Sequence, residues 1–167
     1  DENHVHLLAS DKDPAIIREM RIKMFSSFFS KLKIKHVSDE TIKKLYDKGY
    51  DTLLKIISMS KKDLIGIDGI QEKSATRIVE NIRNGLSCVN IGELLGASGV
   101  FGYGIGRKRV VSLLTDIPDL LICQKDELKE RILNIEGFSE ITAVKIVENL
   151  DVAVSFIDEI SKYVSFS

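Results

Sequence analysis

Residues 66–82, GIDGIQEKSATRIVENI, are repeated with changes as residues 134–150, NIEGFSEITAVKIVENL. Each stretch contains a glycine followed by an apolar residue, Gly69–Ile70 in the first and Gly137–Phe138 in the second. Counted from this apolar residue, which we call the anchor, an alanine follows at five residues and an Ile–Val pair at eight and nine. These offsets lie on one face of an α-helix. Each stretch therefore predicts a tight turn that leads into an amphipathic helix.

The same template fits two further segments more weakly. KHVSDETIKKLY has Val37 as its anchor, and YGIGRKRVVSLL has Ile105. The four anchors, at positions 37, 70, 105 and 138, are separated by 33, 35 and 33 residues. The residues before an anchor also favour a helix, as where Ser60 is followed three residues later by Asp63. A repeat of this period predicts four tandem units, each a helix, a tight turn and a helix.

The remaining sequence also favours helices. Asp13–Pro14 is typical of a helix start, with proline at the first helical position. No segment alternates apolar and polar residues as a half-buried strand does. We therefore predict an all-α protein in which residues 14–150 form one compact domain of four helix–turn–helix units. We expect residues 1–13 to be an N-terminal tail or linker, and residues 151–167 a C-terminal helix or linker.

Composition and charge restrict the function only loosely. The 167 residues carry a net charge of −1, but residues 31–83 hold 12 Lys/Arg against 8 Asp/Glu, and residues 111–167 hold 5 against 11. A solvated surface explains this distribution as well as an anionic partner does. Two isolated cysteines do not form a disulfide framework, which favours a reducing intracellular compartment. No apolar run reaches transmembrane length, so we expect no membrane partner.

The turns can bind a ligand mainly through backbone groups, with little need for particular side chains. A glycine beside the anchor permits a positive φ and leaves the backbone N–H groups of the turn uncovered. These N–H groups lie at the N-terminus of the following helix, where the helix dipole favours an anion. A phosphate is the natural ligand of such a turn.

Gly69–Ile70 and Gly104–Ile105–Gly106, each leading into a helix, resemble helix-hairpin-helix DNA-binding motifs. Four such motifs, with IGELLGASGV at residues 91–100, are similar to the tandem helix-hairpin-helix domain of NAD⁺-dependent DNA ligases. The similarity covers roughly residues 13–150. It implies a non-catalytic domain that clamps the minor-groove backbone of nicked duplex DNA without sequence preference, in replication and repair. Other domains of such a ligase perform adenylation and sealing.

The resemblance also implies which residues face the DNA. Those in the hairpins would be Gly69, Ile70, Gln71, Gly104, Ile105, Gly106, Gly137, Phe138 and Ser139. Those supporting the contact with a side chain early in the second helix would be Lys73, Arg77, Arg107, Lys108 and Arg109.

The chain departs from the family pattern in three places. The first copy, His36–Val37–Ser38, has no glycine. The fourth has Ser139 where a second glycine is expected, with a glutamate on each side of the turn. The stretch that matches the family's four-cysteine zinc module, HVHLLASDKDPAIIREM, contains no cysteine. We therefore predict no bound zinc.

Catalysis is not expected from these residues. The adenylated lysine of the ligases lies in the pattern Lys-x-Asp-Gly, and the one Asp-Gly pair here, Asp68–Gly69, has Gly66 at the lysine position. The chain itself thus needs no cofactor, and NAD and Mg²⁺ are expected only in the catalytic part of a parent ligase. Its expected partners are duplex DNA, especially nicked duplex, and the other domains of that ligase.

Two alternatives stay open at this stage. The chain could be a helix-hairpin-helix module of another repair or recombination protein, such as an excision nuclease subunit. It could also be a protein-interaction scaffold whose hairpins no longer touch DNA, which the acidic final third permits.

Overall fold

The structure is a computed structural model that describes residues 13–102 and 104–166. These residues form ten α-helices and one short 3-10 helix, Leu120–Ile122, and no strand occurs among them. The prediction of an all-α protein is confirmed. The helices are α1 (Pro14–Lys31), α2 (Asp39–Asp47), α3 (Leu53–Ile57), α4 (Lys61–Leu64), α5 (Glu72–Leu86), α6 (Ile91–Ser98), α7 (Arg107–Asp116), α8 (Lys125–Leu133), α9 (Glu140–Glu148) and α10 (Leu150–Ile160).

Polar side chains define where several helices begin. Asp13 accepts a hydrogen bond from the N–H of Ala15 at the start of α1, with Pro14 in the first position. Ser60 and Asp63 bond each other's backbone N–H at the start of α4, as their spacing indicates. Such caps satisfy N–H groups that have no partner inside the helix.

Two apolar clusters form the core. The first holds side chains from α1 to α6 and includes two anchors, Val37 and Ile70. The second holds side chains from α6 to α10 and includes the anchor Ile105, with the half-buried anchor Phe138 packed against it. Each cluster is thus built by two of the four repeat units, because each unit buries its anchor against its neighbour.

Two helices belong to both clusters. In α6, Leu94 is buried in the first cluster and the adjacent Leu95 in the second. In α10, Ile160 is buried in the first and Ala153 in the second. The segment predicted as a C-terminal helix or linker therefore contains a helix that joins the two halves.

Helices α6 and α7 approach each other closely because α6 carries glycine at two positions one turn apart. A Cβ atom at Gly96 would lie 2.4 Å from the Cα of Arg107, and one at Gly92 would lie 3.1 Å from the Cα of Val111. The backbone of α7 occupies this space, so the contact depends on the missing side chains.

Some sequence predictions fall outside the described residues. The N-terminal tail does so apart from Asp13, and with it most of the stretch that matches the family's zinc module. Within residues 13–102 and 104–166, no helix is long and apolar enough to cross a membrane.

Candidate nucleic-acid interface

The four predicted turns share one backbone feature. Each hairpin consists of a turn and the helices on either side of it. We number the hairpins by their turns: hairpin 1 (residues 32–37), hairpin 2 (65–70), hairpin 3 (99–102 and 104–105) and hairpin 4 (134–138). The residue directly before each anchor has a positive φ, 69° at His36, 77° at Gly69, 86° at Gly104 and 93° at Gly137. The helix that follows begins two residues after each anchor, with the turn ending at residue 37, 70, 105 or 138.

Hairpins 2, 3 and 4 also share a hydrogen bond across the turn. The anchor N–H donates to the carbonyl three residues before it, at 2.8 Å for Ile70, 3.4 Å for Ile105 and 3.3 Å for Phe138. The count of four copies stays a prediction. The common geometry supports it.

The residue after the anchor separates the hairpins into two kinds. In hairpins 1 and 4 it is a serine, whose Oγ accepts a hydrogen bond from the N–H of Thr41 or Thr142 at 3.2 and 3.3 Å. In hairpins 2 and 3 it is Gln71 or Gly106, which makes no side-chain cap. The first-turn N–H groups of α5 and α7 therefore have no side-chain acceptor, and unpaired N–H groups at a helix start are what an anion requires.

The start of α7 has the most favourable charge for an anion. Its first three residues are Arg107, Lys108 and Arg109, and its first turn contains no acidic residue. Lys108 is exposed and forms no hydrogen bond or ion pair within the described part of the chain. The predicted side chains of α5, Lys73 and Arg77, are exposed as well.

Two of the predicted phosphate-supporting side chains also hold the domain together. The guanidinium of Arg107 donates to the carbonyl of Lys31 at 2.7 Å, which connects α7 to the end of α1. The guanidinium of Arg109 donates to the carbonyl of Gly137 at 2.8 Å and lies 4.9 Å from the centre of the Phe138 ring. Arg109 thus attaches hairpin 3 to the turn of hairpin 4.

The glutamates beside two of the turns are paired with lysines at equivalent positions. Glu72 begins α5 and accepts from Lys61 at 2.9 Å, and Glu140 begins α9 and accepts from Lys129 at 3.2 Å. The hydrogen bond from Lys61 lowers the pKa of Glu72 below its ordinary value. In hairpin 3 the same two positions are Gly96 and Arg107, where the backbones touch directly.

Sequence reasoning missed one residue of this surface, Lys44. Its Nζ lies 3.1 Å from where a Cβ of Gly69 would stand, so a lysine of hairpin 1 lies against the turn of hairpin 2. Nothing in the sequence links these residues, because the proximity depends on how α2 packs. Among the residues that the structure describes, no group of three or more His, Cys, Asp or Glu could hold a metal ion.

These features define the protein class: an all-helical chain with a tandem of helix-hairpin-helix units. Residues 31–84, which contain hairpins 1 and 2, match the family of SAM-like helix-hairpin-helix tandems. The chain therefore carries a helix-hairpin-helix domain, as the sequence predicted.

The curated relatives of the chain are DNA ligases. The chain is 30% identical over 169 residues to the DNA ligase of Acanthamoeba polyphaga mimivirus, an alignment that covers 99% of this chain and 26% of the viral protein. It is 31% identical over 118 residues to the DNA ligase of Chlamydia pneumoniae, which covers 70% of this chain and 17% of that enzyme. The chain thus corresponds to a minor part of these relatives, and its resemblance to a ligase helix-hairpin-helix domain is confirmed.

Proposed function

We propose that this chain is the non-catalytic, sequence-independent DNA-binding domain of an NAD⁺-dependent DNA ligase, where it grips the backbone of nicked duplex. The observation that carries this proposal is the start of α7. There a glycine turn, uncovered first-turn N–H groups and three consecutive basic residues coincide.

Hairpin 3 supplies the strongest phosphate contact in this proposal. The N–H groups of α7 donate to a phosphate oxygen, and the dipole of the helix adds to the attraction. Lys108 adds a charge that no described carboxylate neutralises. Arg107 and Arg109 each use one guanidinium nitrogen on a carbonyl, and their remaining N–H groups stay available.

Hairpin 2 supplies a second contact. Its first-turn N–H groups lack a side-chain cap, and Lys44 adds positive charge next to Gly69. The pairing of Glu72 with Lys61 reduces the repulsion between that carboxylate and a phosphate. Hairpin 4 acts mainly as a support, because Ser139 occupies an N–H group of its own helix while Gly137 and Phe138 hold Arg109.

This mode of contact accounts for the lack of sequence preference. Hydrogen bonds to phosphate oxygens position a protein on duplex DNA but do not read the bases. Such binding weakens with salt, with a log–log slope of about −0.9 for each neutralised phosphate.

The chemistry of sealing belongs to other parts of the parent protein. The chain lacks Lys-x-Asp-Gly, and it spans 26% of the mimivirus ligase that it resembles. NAD and Mg²⁺ would act in the catalytic part, and the domains that carry it would be the intracellular partners of this one.

Fluorescence anisotropy of labelled nicked and intact duplexes, measured with this chain across a salt series, tests the proposal. We expect salt-sensitive binding with little sequence preference and tighter binding to the nick. Replacing Gly104 and Gly106 by valine should abolish binding, because the positive φ of Gly104 is strained for valine and a valine side chain at position 106 would cover the start of α7. Undiminished binding by a variant that keeps the helical circular dichroism of the parent chain would refute the hairpin mechanism.

A second candidate, a protein-interaction scaffold, has one observation in its favour. Residues 111–167 are acidic and expose large apolar side chains, with Ile122 86% and Ile141 71% exposed. No duplex binding even at low salt would favour this candidate. Equal binding of nicked and intact duplex would instead favour a module of another repair or recombination protein.

A further inference from the structure

The turn of hairpin 1 holds two non-glycine residues in the left-handed region, Lys33 with φ 59° and His36 with φ 69°. Only one other described residue of this kind exists, Cys88. A left-handed conformation is unfavourable for a residue with a Cβ atom, and glycine avoids this cost. Residues in this sparsely populated conformation cluster at functional sites, so the side chains of these two residues are candidates for a role in binding.

The chain itself shows that glycine suits the position of Lys33. The end of α1 has two hydrogen bonds, from the N–H of Lys33 to the carbonyl of Ser30 at 3.0 Å and from that of Ile34 to Phe29 at 2.8 Å. This pair defines a Schellman motif, with Lys33 in the left-handed position. Helix α2 ends in the same motif, and there the left-handed residue is Gly49.

The other repeat units show that glycine also suits the position of His36. It directly precedes the anchor of hairpin 1, and glycine stands at that position in hairpins 2, 3 and 4. Hairpin 1 thus has a basic or imidazole side chain at both places where another part of the chain has glycine.

The basic and imidazole side chains of hairpin 1 are exposed to solvent, and the buried residues next to them hold the backbone in place. Lys33, Lys35 and His36 are exposed, whereas Ile34 and Val37 between and after them are buried, 7% exposed each. The acidic residue nearest in sequence, Asp39, accepts a hydrogen bond from Ser26. None of the three exposed side chains forms an ion pair or hydrogen bond within the described residues.

The turn also adjoins the interface proposed above. Arg107, at the start of α7, donates to the carbonyl of Lys31, two residues before Lys33. In hairpin 1 the serine cap on the N–H of Thr41 leaves less of the backbone for an anion. Side chains are therefore the groups that this hairpin can offer to a phosphate near the start of α7.

We propose that hairpin 1 binds the DNA backbone through the side chains of Lys33, Lys35 and His36 rather than through its amides, and that the left-handed conformations of Lys33 and His36 are retained for this contact. The inference rests on the proposed DNA-binding function. It predicts that glycine at these positions makes the protein more stable but weakens DNA binding, which is not expected of an ordinary surface turn.

The test compares Lys33→Gly and His36→Gly in the full 167-residue chain by thermal unfolding and by duplex-binding anisotropy across a salt series. Each variant should raise Tm by roughly 2–4 °C, because a left-handed residue with a Cβ is removed. Lys33→Gly should weaken binding about eightfold at roughly 0.1 M salt and lower the slope by about 0.9, as loss of one neutralised phosphate predicts. His36→Gly should weaken binding with a smaller change in slope, and Lys33→Arg should bind as the parent does.

Two variants serve as controls. Cys88→Gly relieves the third left-handed residue without removing a charge, so it should raise Tm and leave binding unchanged. Lys162→Gln removes a lysine that is paired with Glu159 outside the hairpins, so it should leave the salt slope unchanged.

Each outcome has a distinct meaning. Glycine variants that are more stable and bind like the parent chain would overturn this inference and leave the proposed function intact. Glycine variants without a gain in Tm would show that the left-handed residues carry no cost, which also overturns it. A parent chain that does not bind duplex at low salt would refute the proposed function, and this inference with it.

Discussion

Hairpins 3 and 4 share the backbone geometry next to the anchor and differ in the residue that follows it. Both place a left-handed glycine before the anchor and close the turn with the same hydrogen bond. In hairpin 3 the next residue is Gly106, which leaves the start of α7 uncovered. In hairpin 4 it is Ser139, whose hydroxyl caps α9. In the proposed function, the one residue after the anchor therefore separates a hairpin that binds phosphate from a hairpin that acts as a support.

The two hairpins also differ in how their helices meet. Hairpin 4 joins α8 to α9 by the exposed pair Lys129–Glu140, whereas hairpin 3 joins α6 to α7 by direct backbone contact at Gly96. An exposed ion pair tolerates change, and a close-packed backbone does not. Equivalent positions of the two hairpins therefore differ in how well they should tolerate substitution.

The largest effect is expected at this contact. Gly96→Val places a Cβ 2.4 Å from the Cα of Arg107, so the helices must separate, at a cost of about 1–3 kcal/mol in the free energy of unfolding. Lys129→Ala, the equivalent change in hairpin 4, should cost only about 0.2–1 kcal/mol. Urea unfolding of both variants measures the difference, and equal losses would contradict the distinction drawn here.

The second largest effect is expected where Arg109 connects hairpin 3 to hairpin 4. Arg109→Met removes the hydrogen bond to the Gly137 carbonyl and the contact with Phe138, and should destabilise the chain by about 1–2 kcal/mol. Lys108→Met, one residue away, should leave Tm unchanged and lower the salt slope of DNA binding by about 0.9. If Lys108→Met were the more destabilising of the two, the roles assigned to these residues would be wrong.

A swap of the residues after the anchors tests the comparison directly. Gly106→Ser introduces the cap of hairpin 4 into hairpin 3, so it should stabilise α7 by a few tenths of a kcal/mol, on the order of the known difference between these caps. The same change should weaken DNA binding, because the hydroxyl occupies an N–H group that the phosphate uses. Ser139→Gly should change binding far less. Anisotropy and thermal unfolding of both variants give the answer, and unchanged binding by Gly106→Ser would exclude the α7 amides as phosphate donors.

The smallest expected effect concerns pH. The pKa of Glu72 is lowered by Lys61, so their interaction is fully present above the ordinary pKa of a glutamate and is lost as the pH falls through the lowered value. An NMR titration should show Glu72 titrating below 4.5, the ordinary value, and moving back towards it in Lys61→Met. If the pKa of Glu72 were the same in Lys61→Met as in the parent chain, the pair would not form in solution.

Much of the candidate site was predictable because it is local. The anchors, their spacing and the preceding glycines are read from a few neighbouring residues, and the serine after the anchor in hairpin 4 was already visible as a departure from the family pattern. The basic residues 107–109 were predicted as phosphate ligands. That two of them also bond distant carbonyls was not predictable, because Lys31 and Gly137 are 76 and 28 residues away in the chain.

The sequence by itself determined the helices, the turns between them and the positions where glycine permits a reversed φ, because these depend on interactions within one or two helical turns. Only the tertiary structure decided which hairpins adjoin, which basic side chains hold the domain together, and that Lys44 of one hairpin lies against the turn of another. It also showed that Lys33 and His36 adopt the conformation glycine has elsewhere. The physical reason is that packing of the two apolar clusters, rather than any local preference, fixes where the helices cross.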